Sequence, residues 1–103
     1  MQINILSKDE FDFLAAEKGK LAHIVNECCE ESHDGAWLVI EETLARILIE
    51  VRYMDRLERD YLCNRVFSYC DAQPRSGQRV RRIGEKNDIV RIEVKWTVEG
   101  LNE

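Results

Sequence analysis

Alternation of apolar and polar residues predicts strands at both ends of the chain. From Val90 to Val98 every second residue is apolar, and the residues between them are charged or threonine. A period of two gives a strand one apolar and one polar face. Residues 78–83 precede this segment across a short polar loop, so we expect a C-terminal β-hairpin. Residues 1–6 alternate over a shorter stretch, which suggests an N-terminal edge strand that could join the same sheet.

A first helix is predicted to begin after Ser7 and to end near residues 32–35. Ser7 and Glu10 have the spacing of a capping box, in which each residue bonds the free backbone amide of the other. Between Phe11 and Cys29 the apolar residues fall on one helical stripe, which is typical of a face packed on a core. Polar turn-forming residues follow and favour the end of the helix.

A second helical region is predicted over residues 36–73. This segment contains neither glycine nor proline, and its apolar residues mostly recur at helical spacing. One long helix is the simplest interpretation. Asp55 and Glu58 interrupt the apolar stripe, so the alternative is two helices that meet near residues 55–60. Pro74 disfavours helix in the residue before it and ends the region.

These elements predict one α+β domain over residues 1–103. In this architecture an antiparallel helical hairpin packs on a small antiparallel sheet, made of the C-terminal β-hairpin and, if residues 1–6 join it, an N-terminal strand. A chain of 103 residues provides one hydrophobic core and leaves little room for two. We therefore do not expect a multidomain enzyme.

Charge is distributed unevenly along the chain. The 15 Lys and Arg against 20 Asp and Glu give a formal net charge of -5, yet residues 75–103 carry more basic than acidic side chains. The acidic excess lies in residues 1–74, with a dense run on and just after the first predicted helix. We expect an acidic surface that attracts a basic partner, and a smaller basic surface on the C-terminal hairpin.

The composition favours a cytoplasmic protein without a membrane segment. No apolar run approaches the roughly 20 residues that span a bilayer, and the first residues lack the pattern of a signal peptide. The four cysteines lie within helical patterns, as expected for reduced thiols in a reducing compartment.

The leading hypothesis is a non-catalytic protein-binding module: an inhibitor, an immunity protein or an anti-defence protein of a phage or mobile element. The sequence contains no complete catalytic, metal or phosphate motif, so we expect no cofactor. The acidic helical surface would dock on a basic site of a partner protein, helped by electrostatic steering. A long amphipathic helix also favours a homodimer. The expected partner-binding residues are Asp12, Glu27, Glu30, Glu31, Asp34, Tyr53, Tyr61, Arg79, Arg81 and Arg82.

A nucleic-acid-binding regulator is one alternative. Arg79, Arg81 and Arg82 lie on the predicted C-terminal hairpin, and arginine makes bidentate contacts with phosphate or guanine. The net negative charge opposes this interpretation, and the hairpin's Trp96 falls on the apolar face, where it cannot stack on a base.

A zinc site is a second alternative. Cys29 and His33 are four residues apart, and Cys63 and Cys70 lie seven apart on the next predicted helix, so facing helices could bring them together. Cysteine is among the most frequently buried residues, and the Cys-x2-Cys pattern of a zinc knuckle is missing. The sequence favours core thiols, and we assign no metal.

Glutamates on the two predicted helices resemble a magnesium motif. Glu27-Cys-Cys-Glu30 is similar to the first Glu-x-x-Glu of the all-α nucleotide pyrophosphatases, and Glu42-Thr-Leu-Ala45 is similar to their second motif, in which Ala45 replaces an aspartate. The resemblance covers about residues 21–62 and implies a Mg²⁺-dependent nucleotide pyrophosphatase or a nucleotide-binding relative that uses Glu27, Glu30 and Glu42. The missing carboxylate would weaken magnesium binding.

Overall fold

The fold consists of two α-β-β units and a short final helix. The computed structural model describes residues 6–28, 36–41, 45–52, 55–86 and 89–101. The α+β class expected from the sequence is confirmed. The elements are α1 (Lys8–Cys28), β1 (Ala36–Glu41), β2 (Arg46–Arg52), α2 (Arg56–Ala72), β3 (Arg79–Lys86), β4 (Ile89–Lys95) and α3 (Val98–Leu101).

The four strands form one antiparallel sheet in the order β1-β2-β4-β3. Each α-β-β unit contributes one hairpin, β1–β2 or β3–β4. The second strands of the two hairpins, β2 and β4, lie side by side at the centre of the sheet, and the first strands form its edges. In this central pairing Ile49 lies opposite Ile92. A bulge at Ile83 shifts the register of β3 against β4. The predicted C-terminal hairpin is confirmed, although it ends at Lys95 and Val98 begins α3.

The prediction of helix over residues 36–52 is wrong, because this segment is the β1–β2 hairpin. Ile47, Ile49 and Val51 alternate with period two and are fully buried, but the surrounding apolar residues also satisfy helical spacing. The missing glycine concealed the turn. Ala45 occupies it with a φ of 47°, a left-handed conformation that is uncommon outside glycine.

The second helix begins at Arg56, within the interval where the sequence suggested a break. Asp55 is its N-cap, and its Oδ1 accepts a 2.9 Å bond from the amide of Glu58. The capping box of α1 is also present. The Ser7 amide donates to Glu10 Oε1 at 2.8 Å, and the Glu10 amide donates to Ser7 Oγ at 3.2 Å. Residues 1–5 of the predicted N-terminal strand lie outside the described residues.

One face of the sheet forms the core with α1 and α2. Alternate residues of β2 and β4 share this face and are fully buried together with side chains from both helices. Trp96, just after β4, packs edge-to-face on Phe13 of α1 with ring centroids 5.8 Å apart. The buried residues of the core include Leu14, Leu21, Val25, Ile47, Ile49, Val51, Leu62, Val66, Val90, Ile92 and Val94.

None of the helices within the described residues is long and apolar enough to cross a membrane.

Candidate functional site

The sheet face opposite the helices is strongly cationic. Because side chains alternate along a strand, the residues of β2, β3 and β4 that do not enter the core point to this face. Among those whose side chains the structure describes, six are basic and two are acidic. We call this surface the cationic face; its charged residues are Arg46, Arg52, Arg79, Arg81, Arg91 and Lys95, with Glu50 and Glu93.

Glu93 lies at the centre of the face between two arginines. Arg46 Nη1 on one neighbouring strand donates to its Oε2 at 2.6 Å, and Arg81 Nε on the other donates to its Oε1 at 2.8 Å. The residue is only 3% exposed although no described helix covers this side of the sheet. The arginine side chains themselves therefore shield the carboxylate from water.

Glu50 repeats this arrangement on the adjacent strand. Its Oε2 accepts a 2.8 Å bond from Arg91 Nε, and its Oε1 accepts a 3.1 Å bond from Arg52 Nε. Glu50 is 5% exposed, so each buried carboxylate is shared by two guanidinium groups. Cross-strand bonds of this kind fix long side chains that would otherwise move freely over a sheet.

The bonding geometry leaves charged groups pointing to solution. Arg81 and Arg91 donate to the carboxylates through Nε, so their terminal amino groups remain at the outer end of each side chain. Both side chains are about half exposed or more. A guanidinium that donates through Nε still has N–H donors on its terminal nitrogens, and these can bind a phosphate or a carboxylate. The face therefore presents immobilised arginine ends, an arrangement suited to anions.

The ion pairs change the acidity of the buried carboxyl groups. At Glu93 burial raises the pKa, but the bonds from Arg46 and Arg81 outweigh burial and hold the pKa below its ordinary value. At Glu50 the bond from Arg91 is the largest influence, and the pKa is again lowered.

These lowered pKa values predict acid sensitivity. A carboxyl group whose folded pKa lies below its unfolded value of about 4.3 stabilises the fold above that pH, and the contribution is lost as pH falls through the folded pKa. We expect the free energy of unfolding, measured with urea between pH 7 and pH 3, to fall below about pH 4.5. The Glu50→Gln, Glu93→Gln variant should show a flatter profile over this range. Parallel profiles would assign the acid sensitivity to other groups.

The basic residues predicted from the hairpin do not form one site. Arg79 and Arg81 lie on the cationic face. Arg82 has the opposite orientation and donates from Nη1 to Asp60 Oδ1 of α2 at 3.0 Å, because consecutive residues of a strand point to opposite sides. Grouping the three arginines as one surface was therefore wrong.

The predicted acidic surface is described only in part. Asp12 is exposed on α1, and Glu27 at the end of this helix pairs with Arg65 of α2 and with His23. The bond from Arg65 lowers the pKa of Glu27, so this carboxylate stays ionised and already has a cationic partner within the protein. Glu30, Glu31 and Asp34 lie outside the described residues.

Of the two predicted tyrosines, Tyr53 lies outside the described residues. Tyr61 is exposed on α2, where its hydroxyl accepts a 3.2 Å bond from Arg65 Nη1.

Within the described residues, no cluster of metal ligands supports the zinc or the magnesium alternative. Cys63 and Cys70 are buried in the core, and the part of the chain with described positions holds no group of three potential ligands. Cys29, His33 and Glu42 lie outside it. The pyrophosphatase resemblance requires a second helix through this part of the chain, but residues 36–41 and 46–52 form the strands β1 and β2. Those described residues therefore do not provide the helical frame of the motif.

Sequence reasoning missed the contribution of β2 to the cationic face. Arg46, Glu50 and Arg52 had been placed on a helix, although their even spacing is the signal of a strand with one charged face. The net charge of -5 also concealed the face. A total over all 103 residues does not show how the charges are divided between surfaces.

Comparison with known proteins gives no relative, since no family model, curated protein or solved structure matches the chain.

Proposed function

We propose that the protein is a non-catalytic module that binds single-stranded nucleic acid on the cationic face. The observation that carries the proposal is the pair of buried glutamates that hold four arginines in place. Arg81 and Arg91 are held through Nε, with their terminal amino groups outward. Phosphate contacts by arginine supply most of the affinity in such complexes, and prearranged side chains lose less conformational entropy on binding.

The width of the face favours a single strand over a duplex. Neighbouring strands lie about 4.8 Å apart, so the outer strands of this four-stranded sheet are about 14 Å apart before side chains are added. The major groove of B-DNA is about 12 Å wide and admits a helix or a two-stranded ribbon. The intact face cannot enter it, whereas a single strand can lie across an open sheet.

The chemistry of the face favours binding with little sequence preference. Guanidinium planes can stack on unpaired bases and donate to phosphates, whatever the base. The carboxylates of Glu50 and Glu93 already accept bonds from arginines of the same sheet. They are therefore not free to accept bonds from the amino groups of bases, which would give sequence preference. The whole chain carries a charge of -5, so we expect only the cationic face to attract the nucleic acid. Because the attraction is electrostatic, the affinity should fall sharply as the salt concentration rises.

Fluorescence anisotropy with a labelled single-stranded oligonucleotide tests the proposal. We expect saturable binding at low salt, and a weaker signal with the matching duplex. Changing Arg81→Gln and Arg91→Gln together should lower the affinity about 10-fold or more. It should also make the salt dependence less steep, because fewer phosphate contacts release fewer counterions on binding. Arg56→Gln, an exposed arginine on α2, is the matched control and should change little.

Two results would count against this function. Absence of binding to DNA and RNA oligonucleotides at low salt would remove it. A loss of affinity per removed charge in Arg56→Gln equal to that in the Arg81→Gln, Arg91→Gln variant would show attraction by total charge alone.

Protein binding, predicted from the acidic helices, remains a second candidate. The observation in its favour is a pair of exposed apolar side chains on α2: Leu57 is 80% exposed, and Tyr61 lies one turn further along. A partner with an apolar pocket would complement this pair. Pull-down from the native cell should recover a partner that the Leu57→Ser, Tyr61→Ser variant fails to bind.

A further inference from the structure

A cavity of about 250 Å³ opens beside the helix α1. It lies between α1 and the segment that follows α2. Its walls combine one acidic and two basic side chains with an aromatic ring, a proline and two glutamines. The charged and apolar members are Glu17, Lys20, Arg75, Phe13 and Pro74. The volume corresponds to roughly eight water molecules, which suits a small metabolite and is too small for a nucleotide.

Glu17 is a buried carboxylate with less charge compensation than Glu50 and Glu93. It is 8% exposed; its Oε2 accepts a 2.7 Å bond from the Tyr69 hydroxyl, and its Oε1 lies 3.5 Å from the ammonium of Lys20. Glu50 and Glu93, by contrast, each receive two guanidinium groups at hydrogen-bond distance. A buried carboxylate at a cavity wall is stabilised further when a cation reaches it.

Arg75 forms the cationic side of the cavity and is held in place. Its guanidinium carbon lies 4.1 Å from the centre of the Phe13 ring, and its Nη1 donates to the carbonyls of Gly100 and Leu101 at 3.3 and 2.7 Å. These contacts engage one of the three guanidinium nitrogens. The remaining edge can therefore pair with a ligand carboxylate, and Lys20 adds a second positive charge.

We infer that the cavity binds a free α-amino acid as its zwitterion. The ligand ammonium would pair with Glu17, its carboxylate would pair with Arg75 and Lys20, and its aliphatic part would lie against Phe13 and Pro74. A purely cationic ligand would be repelled by the two basic residues. A purely anionic ligand would be repelled by Glu17, so only a molecule with both charges satisfies all three groups.

Isothermal titration calorimetry of the intact protein with each of the 20 amino acids tests the inference. We expect at least one to bind saturably at millimolar concentration or below. Its N-acetyl derivative lacks the ammonium and its amide derivative lacks the carboxylate, and each should bind at least 10-fold more weakly. Heat signals from none of the 20 up to about 10 mM, or equal binding of the N-acetyl derivative, would overturn the inference.

Variants locate the binding site. Glu17→Gln should weaken binding at least 10-fold, because a charged hydrogen bond contributes more than a neutral one. Lys20→Met should weaken binding several-fold, and the exposure of Lys20 makes a folding defect implausible as the cause. Asp12→Asn and Lys8→Met on the same helix are the controls, because neither side chain lines the cavity. Unchanged binding in both Glu17 and Lys20 variants would place the amino acid elsewhere and refute the proposal.

Discussion

Replacing Gly100 with alanine is expected to lower the free energy of unfolding by about 3 kcal/mol or more. A Cβ at this position would lie 1.8 Å from the backbone oxygen of Ser76, and backbone cannot rotate away as a side chain can. The final helix would have to move outward, which would expose the buried Leu101 and break the bonds from Arg75 to its carbonyls. Urea denaturation monitored by tryptophan fluorescence measures the change.

Gly19→Ala is the matched control for this substitution. Gly19 lies in the middle of α1, and a Cβ there would meet no atom within 4 Å. Because alanine favours helix over glycine, this variant should be more stable than the native chain by about 0.5–1 kcal/mol. Similar destabilisation by both substitutions would show that the tight contact of α3 with Ser76 is not a feature of the folded protein.

Replacing Arg46 with methionine is expected to cost about 2–3 kcal/mol at pH 7. Buried Glu93 would keep only Arg81, whose side chain is mostly exposed, and its charge would lose the shorter of its two bonds. The pKa of Glu93 should then rise toward its ordinary value or above. The destabilisation should consequently shrink as pH falls and the carboxyl group becomes protonated.

A double-mutant cycle separates charge from packing. Adding Glu93→Gln to the Arg46 variant removes the uncompensated charge, so the double variant should be less destabilised than the sum of the two single variants by at least about 1 kcal/mol. Arg52→Met on the same strand is the control: its side chain is 54% exposed, against 23% for Arg46, and the expected cost is below about 1 kcal/mol. Additive effects in the cycle would show that Arg46 contributes through packing.

The cationic face could be anticipated only at its C-terminal end. Arg79 and Arg81 were recognised because the hairpin carries strong alternation and a local excess of basic residues. Glu93, the partner of Arg81, lies 12 positions away, and Arg46 lies on a strand that the sequence pattern predicts as helix. The sequence pattern of a strand predicts which face of the strand each residue occupies. It does not predict which other strand pairs with that strand.

The cavity beside Glu17 was beyond prediction for a related reason. Glu17 lies among the polar residues of α1, and nothing in the local pattern distinguishes it from exposed glutamates. Its burial results from Tyr69 and Arg75, which approach from α2 and from the loop after it. Contacts between residues more than 50 positions apart depend on how the helices pack.

The sequence by itself determined the α+β class, the capping box at the start of α1, the end of the helical region at Pro74 and the C-terminal hairpin, because each follows from contacts within a few residues. Tertiary structure alone decided that residues 36–41 and 46–52 form strands. An apolar segment that satisfies both periods adopts the one whose backbone can pair, and here β4 supplies the pairing edge for β2. That same pairing brings the arginines and glutamates of separate units together.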